Sequence, residues 1–132
     1  MRSLFTALAL AAVTLGLVAC GDDDKDGGGG GPAVTFKKGA PVKVKGHEYK
    51  FDPGNVVVEG GGGPTTIEFE NAGSLAHNLR LEKDGQDVGG SPTFQAGETK
   101  SASVDLQPGE YTMVCTVGDH EALGMKGTLT VK

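Results

Sequence analysis

At 132 residues with 37% hydrophobic side chains, the chain has material for one modest hydrophobic core and not for several. Its 17 acidic against 12 basic side chains leave a net charge of −5, which argues against a nucleic-acid partner and falls short of the imbalance typical of disordered chains.

In chain order, Met1-Arg2-Ser3 is a short positive start, and Leu4 to Val18 is an uncharged, mostly apolar run of 15 residues. That length is short for a membrane span and right for the apolar region of an export signal. The run closes on Leu17-Val18-Ala19-Cys20, with Gly21 and a polar stretch beyond. This resembles the lipobox of bacterial lipoproteins. The resemblance implies a signal peptide over residues 1–19 and a Cys20 that carries a lipid thioether as the new N-terminus. The protein would then be exported and lipid-anchored at the extracytoplasmic face of a bacterial membrane, as in the periplasm. A retained N-terminal anchor helix is the alternative, and the small residues ending at a cysteine disfavour it. Removal of Arg2 with the signal takes the net charge from −5 to −6.

The chain has two cysteines. With Cys20 lipidated, Cys115 has no disulfide partner, and metal coordination is the simplest account of a lone thiol in an exported protein. Without lipidation, a Cys20–Cys115 disulfide would tether a flexible tail to a strand end.

Residues 20–32 comprise Cys20, an Asp-rich run, five glycines and Pro32, with no apolar side chain after the cysteine to pack. They read as a flexible tether spanning about 20 Å. Residues 33–132 then form one domain. Its apolar residues recur with period two: Val42 and Val44, Tyr49 and Phe51, a short run Val56-Val57-Val58, and Ile67 with Phe69. Further on come His77 with Leu79 and Leu81, opposite Asn78, Arg80 and Glu82. Ala102, Val104 and Leu106 follow, then Tyr111, Met113 and Cys115, and finally Leu129 and Val131. These are half-buried strands. Gly60–Gly63 reads as a long turn. Pro53-Gly54, Pro64, Gly73-Ser74, Gly89 to Pro92, Gly97 and Pro108-Gly109 mark other turns. A short helical turn has room only within Ala96–Lys100 or in the 83–95 connection. The fold class is therefore all-β, an antiparallel sandwich or barrel of seven to eight strands.

Cys115, His120 and Met125 are each separated from the next by four residues, in a loop leaving one strand and returning toward the last. His77 lies upstream at another strand end. One thiolate, two imidazoles and one thioether are the donor set of a mononuclear electron-transfer copper site, because they suit both Cu(I) and Cu(II). Taken singly, each has a bland alternative: a buried small thiol, a core histidine, a gap-filling methionine, an ordinary loop residue. The joint spacing and β context favour ligation. His47, among Lys45, Glu48 and Lys50, reads as a surface residue.

The Cys-x4-His-x4-Met stretch, followed by Lys126-Gly127-Thr128-Leu129-Thr130-Val131 and preceded by Ala76-His77-Asn78, resembles the cupredoxin family of small blue copper proteins. It is most like the azurin and auracyanin branch, since plastocyanin-like members have a shorter Cys-to-His spacing. The resemblance covers residues 40–132 and implies a Greek-key β-sandwich. It implies one copper ion held by His77 and His120 through Nδ1, by Cys115 through Sγ and by Met125 through Sδ. It also implies that Asn78 braces the ligand loop by reaching Thr116. One departure is visible: many relatives have Pro-Gly before the second histidine, where this chain has Gly118-Asp119. A carboxylate there should lower the reduction potential somewhat, and it puts the loop's stiffness in doubt.

The expected function is type 1 copper electron transfer with exchange at the solvent edge of His120, collared by Ala122, Leu123 and Gly124. Expected partners are cytochromes, respiratory or photosynthetic complexes, or copper oxidoreductases in transient contact with a monomer. Three other classes compete. An enzyme would need further histidines, and only His47 is spare. A copper storage or delivery protein usually carries more methionines or histidines at an open site. A metal-free β-sandwich adhesion module would make the donor set a coincidence.

Overall fold

The computed structural model describes residues 31–132. The expected signal peptide, Cys20 and all but the last two tether residues lie outside that range. The described chain is all-β, with ten strands: β1 (Val34–Lys37), β2 (Val42–His47), β3 (Lys50–Asp52), β4 (Asn55–Glu59), β5 (Gly63–Asn71), β6 (Arg80–Lys83), β7 (Gln86–Gly90), β8 (Thr99–Leu106), β9 (Gly109–Val114) and β10 (Lys126–Val131). They form two sheets, a six-stranded one in the order β1-β4-β10-β9-β6-β7 and a four-stranded one in the order β3-β2-β5-β8.

Period-two alternation gives each strand one apolar face, and removing those faces from water stacks the sheets. Val42 and Val44 of β2 face the core beside Ile67 and Phe69 of β5, their register partners. Tyr111, Met113, Leu129 and Val131 do the same from the other sheet. Removing each such side chain from water contributes roughly 1.5–3 kcal/mol. Phe69 sits centrally, edge-on to both Phe51 and Phe94 with ring centroids 5.8 and 5.6 Å away. Tyr111 ties the β8–β9 turn by donating its hydroxyl to Gln107 O and accepting from Gln107 N, both at 2.9 Å.

The structure differs from the sequence expectation in three respects. The strand count is ten because of β1 and β7, two edge strands with little burial: β1 offers only the short Val34 and Phe36 alternation, and β7 has none and is held by backbone pairing. Neither Ala96–Lys100 nor the 83–95 connection holds a helix. The latter contains a hairpin whose Asp84 and Gly85 both have positive φ, 50° and 76°, the two-residue turn that an Asp-Gly pair favours. Finally, the sheets are mixed. β1 and β10 run parallel to β4, and β2 runs parallel to β5, while the other pairs are antiparallel.

The parallel β2–β5 pair has a consequence for function. Gly46 near the end of β2 lies opposite Asn71 at the end of β5, so both strands finish at the same pole. Val114 at the end of β9 pairs with Lys126 at the start of β10 and with Arg80 at the start of β6. Five strand ends thus converge on one end of the sandwich.

Candidate metal centre

Cys115 is the first residue beyond β9. Its amide donates to Met125 O at 3.1 Å and closes the loop between them. Inside, the backbone bonds to itself: His120 N to Val117 O (3.1 Å), Leu123 N to Asp119 O (3.0 Å), Gly124 N to Glu121 O (3.0 Å) and Met125 N to His120 O (3.0 Å). Gly118 and Gly124 supply the positive φ these turns require, at 51° and 114°. The loop is therefore stiffened by its own hydrogen bonds. Asp119 is exposed and contributes through its carbonyl.

His77 reaches the same pole from the segment before β6. It pairs with Phe94 in an isolated antiparallel bridge, His77 N donating at 3.2 Å and Phe94 N at 3.0 Å. The preceding turn is pinned by buried Asn71, whose Nδ2 donates to Leu75 O (2.8 Å) and Phe94 O (3.1 Å). Asn78, on the opposite face of the segment from His77 and Leu79, is buried and makes the contact with Thr116 that the resemblance implied. Its Oδ1 accepts from Thr116 N at 2.8 Å, and its Nδ2 donates to Thr116 Oγ1 at 2.8 Å and Thr93 Oγ1 at 3.0 Å. These bonds hold the residue after Cys115 to the residue after His77.

The outcome is a tight cluster of donors. His77 Nδ1 lies 3.2 Å from His120 Nδ1, and Cys115 Sγ lies 3.8 Å from the first and 3.6 Å from the second. Among the described residues, these three form the one cluster of at least three His, Cys, Asp or Glu side chains with metal-ligand spacing, all within 4.8 Å and all buried. His77 and Cys115 are fully buried at 0% and His120 is 7% exposed. Met125 is also fully buried. Gly46 leaves room for it: a Cβ there would stand 2.9 Å from Met125 Cε and 2.5 Å from Phe69 Cζ. Two ring nitrogens and a thiol turned toward one another and away from water fit a soft transition metal such as copper.

Two neighbours of the cluster escaped the sequence reading. Glu48 Oε1 lies 2.8 Å from His77 Nε2 and also accepts from Ser74 N (2.8 Å) and Leu75 N (2.9 Å). Hydrogen bonds from the Leu75 and Ser74 amides, then from His77, hold its carboxyl down at about 2. Tyr49 packs its ring 5.0 Å from that of His120. Both residues lie in the polar β2–β3 turn, where the sequence shows only an apparently solvated charge and an aromatic. His47 ends β2, half-buried, and is not in the cluster. Of the expected docking residues, Ala122, Leu123 and Gly124 are exposed, Leu123 at 50%. Leu75, in the turn before His77, is also exposed, at 45%.

A profile described as copper binding proteins of the plastocyanin/azurin family matches residues 38–132. The chain belongs to that family. Plastocyanin of Dryopteris crassirhizoma is 33% identical over 100 residues, spanning 64% of this chain and 89% of that protein. Among solved structures, auracyanin B superposes with a TM-score of 0.64 at 22% identity, over 80% of this chain and 98% of the other. Auracyanin from the photosynthetic bacterium Roseiflexus castenholzii gives 0.61 at 19% identity, over 70% and 96%. Family, fold and donor set together support a blue copper electron-transfer protein that carries one copper ion.

Proposed function

We propose that this protein carries single electrons between redox partners at the extracytoplasmic face of a bacterial membrane, held there by a lipid on Cys20. The observation that carries the electron-transfer reading is the preset cluster of His77, Cys115 and His120 donors within 4.8 Å. Copper, when bound, supplies one-electron cycling between Cu(I) and Cu(II). His77 and His120 would hold it through Nδ1, Cys115 through Sγ, and Met125 through Sδ as a weaker, softer donor. The self-bonded loop and the Asn78 brace resist rearrangement, so the donors keep one geometry in both oxidation states.

His120 is the one nitrogen or sulfur donor of the cluster with any exposure, so partner contact belongs at its edge. Ala122, Leu123 and Gly124 follow it in the same loop as an exposed apolar collar, with Asp119 and Glu121 as exposed acidic neighbours. A small apolar contact of this kind suits weak, fast association. The acidic neighbours favour a partner with a basic rim. Cytochromes, respiratory or photosynthetic complexes and copper oxidoreductases are the partner classes, and the carrier works as a monomer. It performs no catalysis of its own, because a catalytic copper needs further histidines and only His47 is spare.

Adding Cu(II) to the purified protein should produce an intense thiolate-to-copper absorption in the visible that survives repeated reduction and reoxidation without metal loss. A colourless protein would sink the copper assignment, and release of metal on reduction would favour storage or delivery. Leu123→Glu should slow electron exchange while leaving the colour intact; an unchanged rate counts against this docking face. Cys20→Ala should move the protein from the membrane to the soluble fraction, and retention in the membrane would refute the lipid anchor.

A further inference from the structure

We infer that Glu48 is a positioning residue for the copper site: its carboxylate accepts the Nε2 proton of His77, fixes that ring with Nδ1 free to ligate, and lowers the reduction potential. The inference rests on the copper reading above and adds to it a residue 29 positions upstream of His77.

The geometry is over-determined. An ionised carboxylate only accepts hydrogen bonds, so at 2.8 Å from Glu48 Oε1 the Nε2 atom of His77 must carry its proton. In the neutral ring, Nδ1 is then a bare lone pair, and it faces Cys115 Sγ and His120 Nδ1. The carboxylate is itself held, since the same Oε1 accepts from the amides of Ser74 and Leu75. Gly73 makes this approach possible, because a Cβ at that position would collide with the carboxylate of Glu48. The turn leading into His77 is thus built around the Glu48 side chain, with Asn71 bracing it independently through Leu75 O. The His77 side chain is 0% exposed and that of Glu48 is 27% exposed, so the ring meets a partly desolvated charge.

The chemical consequence follows from the sign of that charge. A carboxylate on Nε2–H makes the imidazole a stronger donor and fixes its tautomer, and loss of such a partner typically weakens metal binding about 10–100-fold. A stronger donor favours the more highly charged ion, so Cu(II) gains over Cu(I).

The test is Glu48→Gln in the full chain, which keeps the shape and removes the charge. Two readouts apply. In the metal-free protein, nitrogen chemical shifts of His77 should show Nε2–H alone in the wild type and a mixture of tautomers in the variant. In the copper-loaded protein, a tenfold loss of the preference for Cu(II) should raise the potential by about 59 mV. Glu48→Asp, which retains the charge, should restore part of the shift. If Glu48→Gln fails to fold, Gly73→Ala displaces the carboxylate while leaving it ionised, and the same two shifts are expected. An unchanged tautomer with an unchanged potential in a folded variant would show that Glu48 is only a loop brace, and would overturn the inference. A wild type that binds no copper would defeat the copper reading instead, while the tautomer measurement would still judge Glu48.

Discussion

Replacing Asn78 by alanine removes three hydrogen bonds at once, two to Thr116 and one to Thr93. At about 1 kcal/mol each, their loss costs about 3 kcal/mol. Thr116 and Thr93 are exposed, so water takes over part of their bonding and trims the loss to about 2–3 kcal/mol. For a domain of this size that lowers Tm by on the order of 10–20 °C. Thermal unfolding of the metal-free protein, followed by circular dichroism and calorimetry, measures it without interference from copper. Asn78→Asp is the control. It keeps an acceptor for Thr116 N, and the hydroxyls of Thr93 and Thr116 can rotate to donate, so its Tm should stay closer to the wild type. A fall of less than about 3 °C for the alanine variant would refute the idea that this side chain holds the two ligand segments together.

Gly46→Ala would push a methyl group against Phe69 and the Met125 methyl. Overpacking of this kind costs about 1–3 kcal/mol, and the visible spectrum should shift as Met125 moves; an unchanged melting curve and spectrum would show that the pole yields easily. Cys115→Ser should abolish the visible absorption, whereas Met125→Ala should retain copper at a changed potential; colour in the serine variant would remove Cys115 from the ligand set. Because the Glu48 carboxyl sits at about 2 in the folded protein, below its ordinary 4.5, its stabilisation is complete above about pH 4.5 and is lost as pH falls toward 2. Acid unfolding of the metal-free protein should therefore be less steep in this window for Glu48→Gln, and identical acid curves for the two proteins would contradict that assignment.

The fold class was legible because burial imposes a period of two on strands that bury one face. Val42, Val44, Ile67, Phe69, Leu129 and Val131 all show it. The edge strand β7 carried no such mark, since backbone pairing is indifferent to side-chain type, and β1 showed it only over Val34 and Phe36, too short a run to stand out. The Asp84-Gly85 turn was a readable hairpin signal that the 83–95 connection concealed among polar residues. At the site, the Cys115, His120 and Met125 pattern stood out because one short loop carries all three donors.

By itself, the sequence determined the all-β class, the donor types and the loop that holds three of them, since these depend on local pattern and on chemistry intrinsic to each side chain. Only the tertiary structure decided that His77 stands 3.8 Å from a thiol 38 residues away, that Asn78 also reaches Thr93, and that Leu75 is left at the surface. It also decided that Glu48, in a polar turn like any solvated acid, grips the far side of the His77 ring. Such contacts arise where five strand ends meet at one pole, and long-range hydrogen bonds of this kind leave no periodicity for a sequence to display.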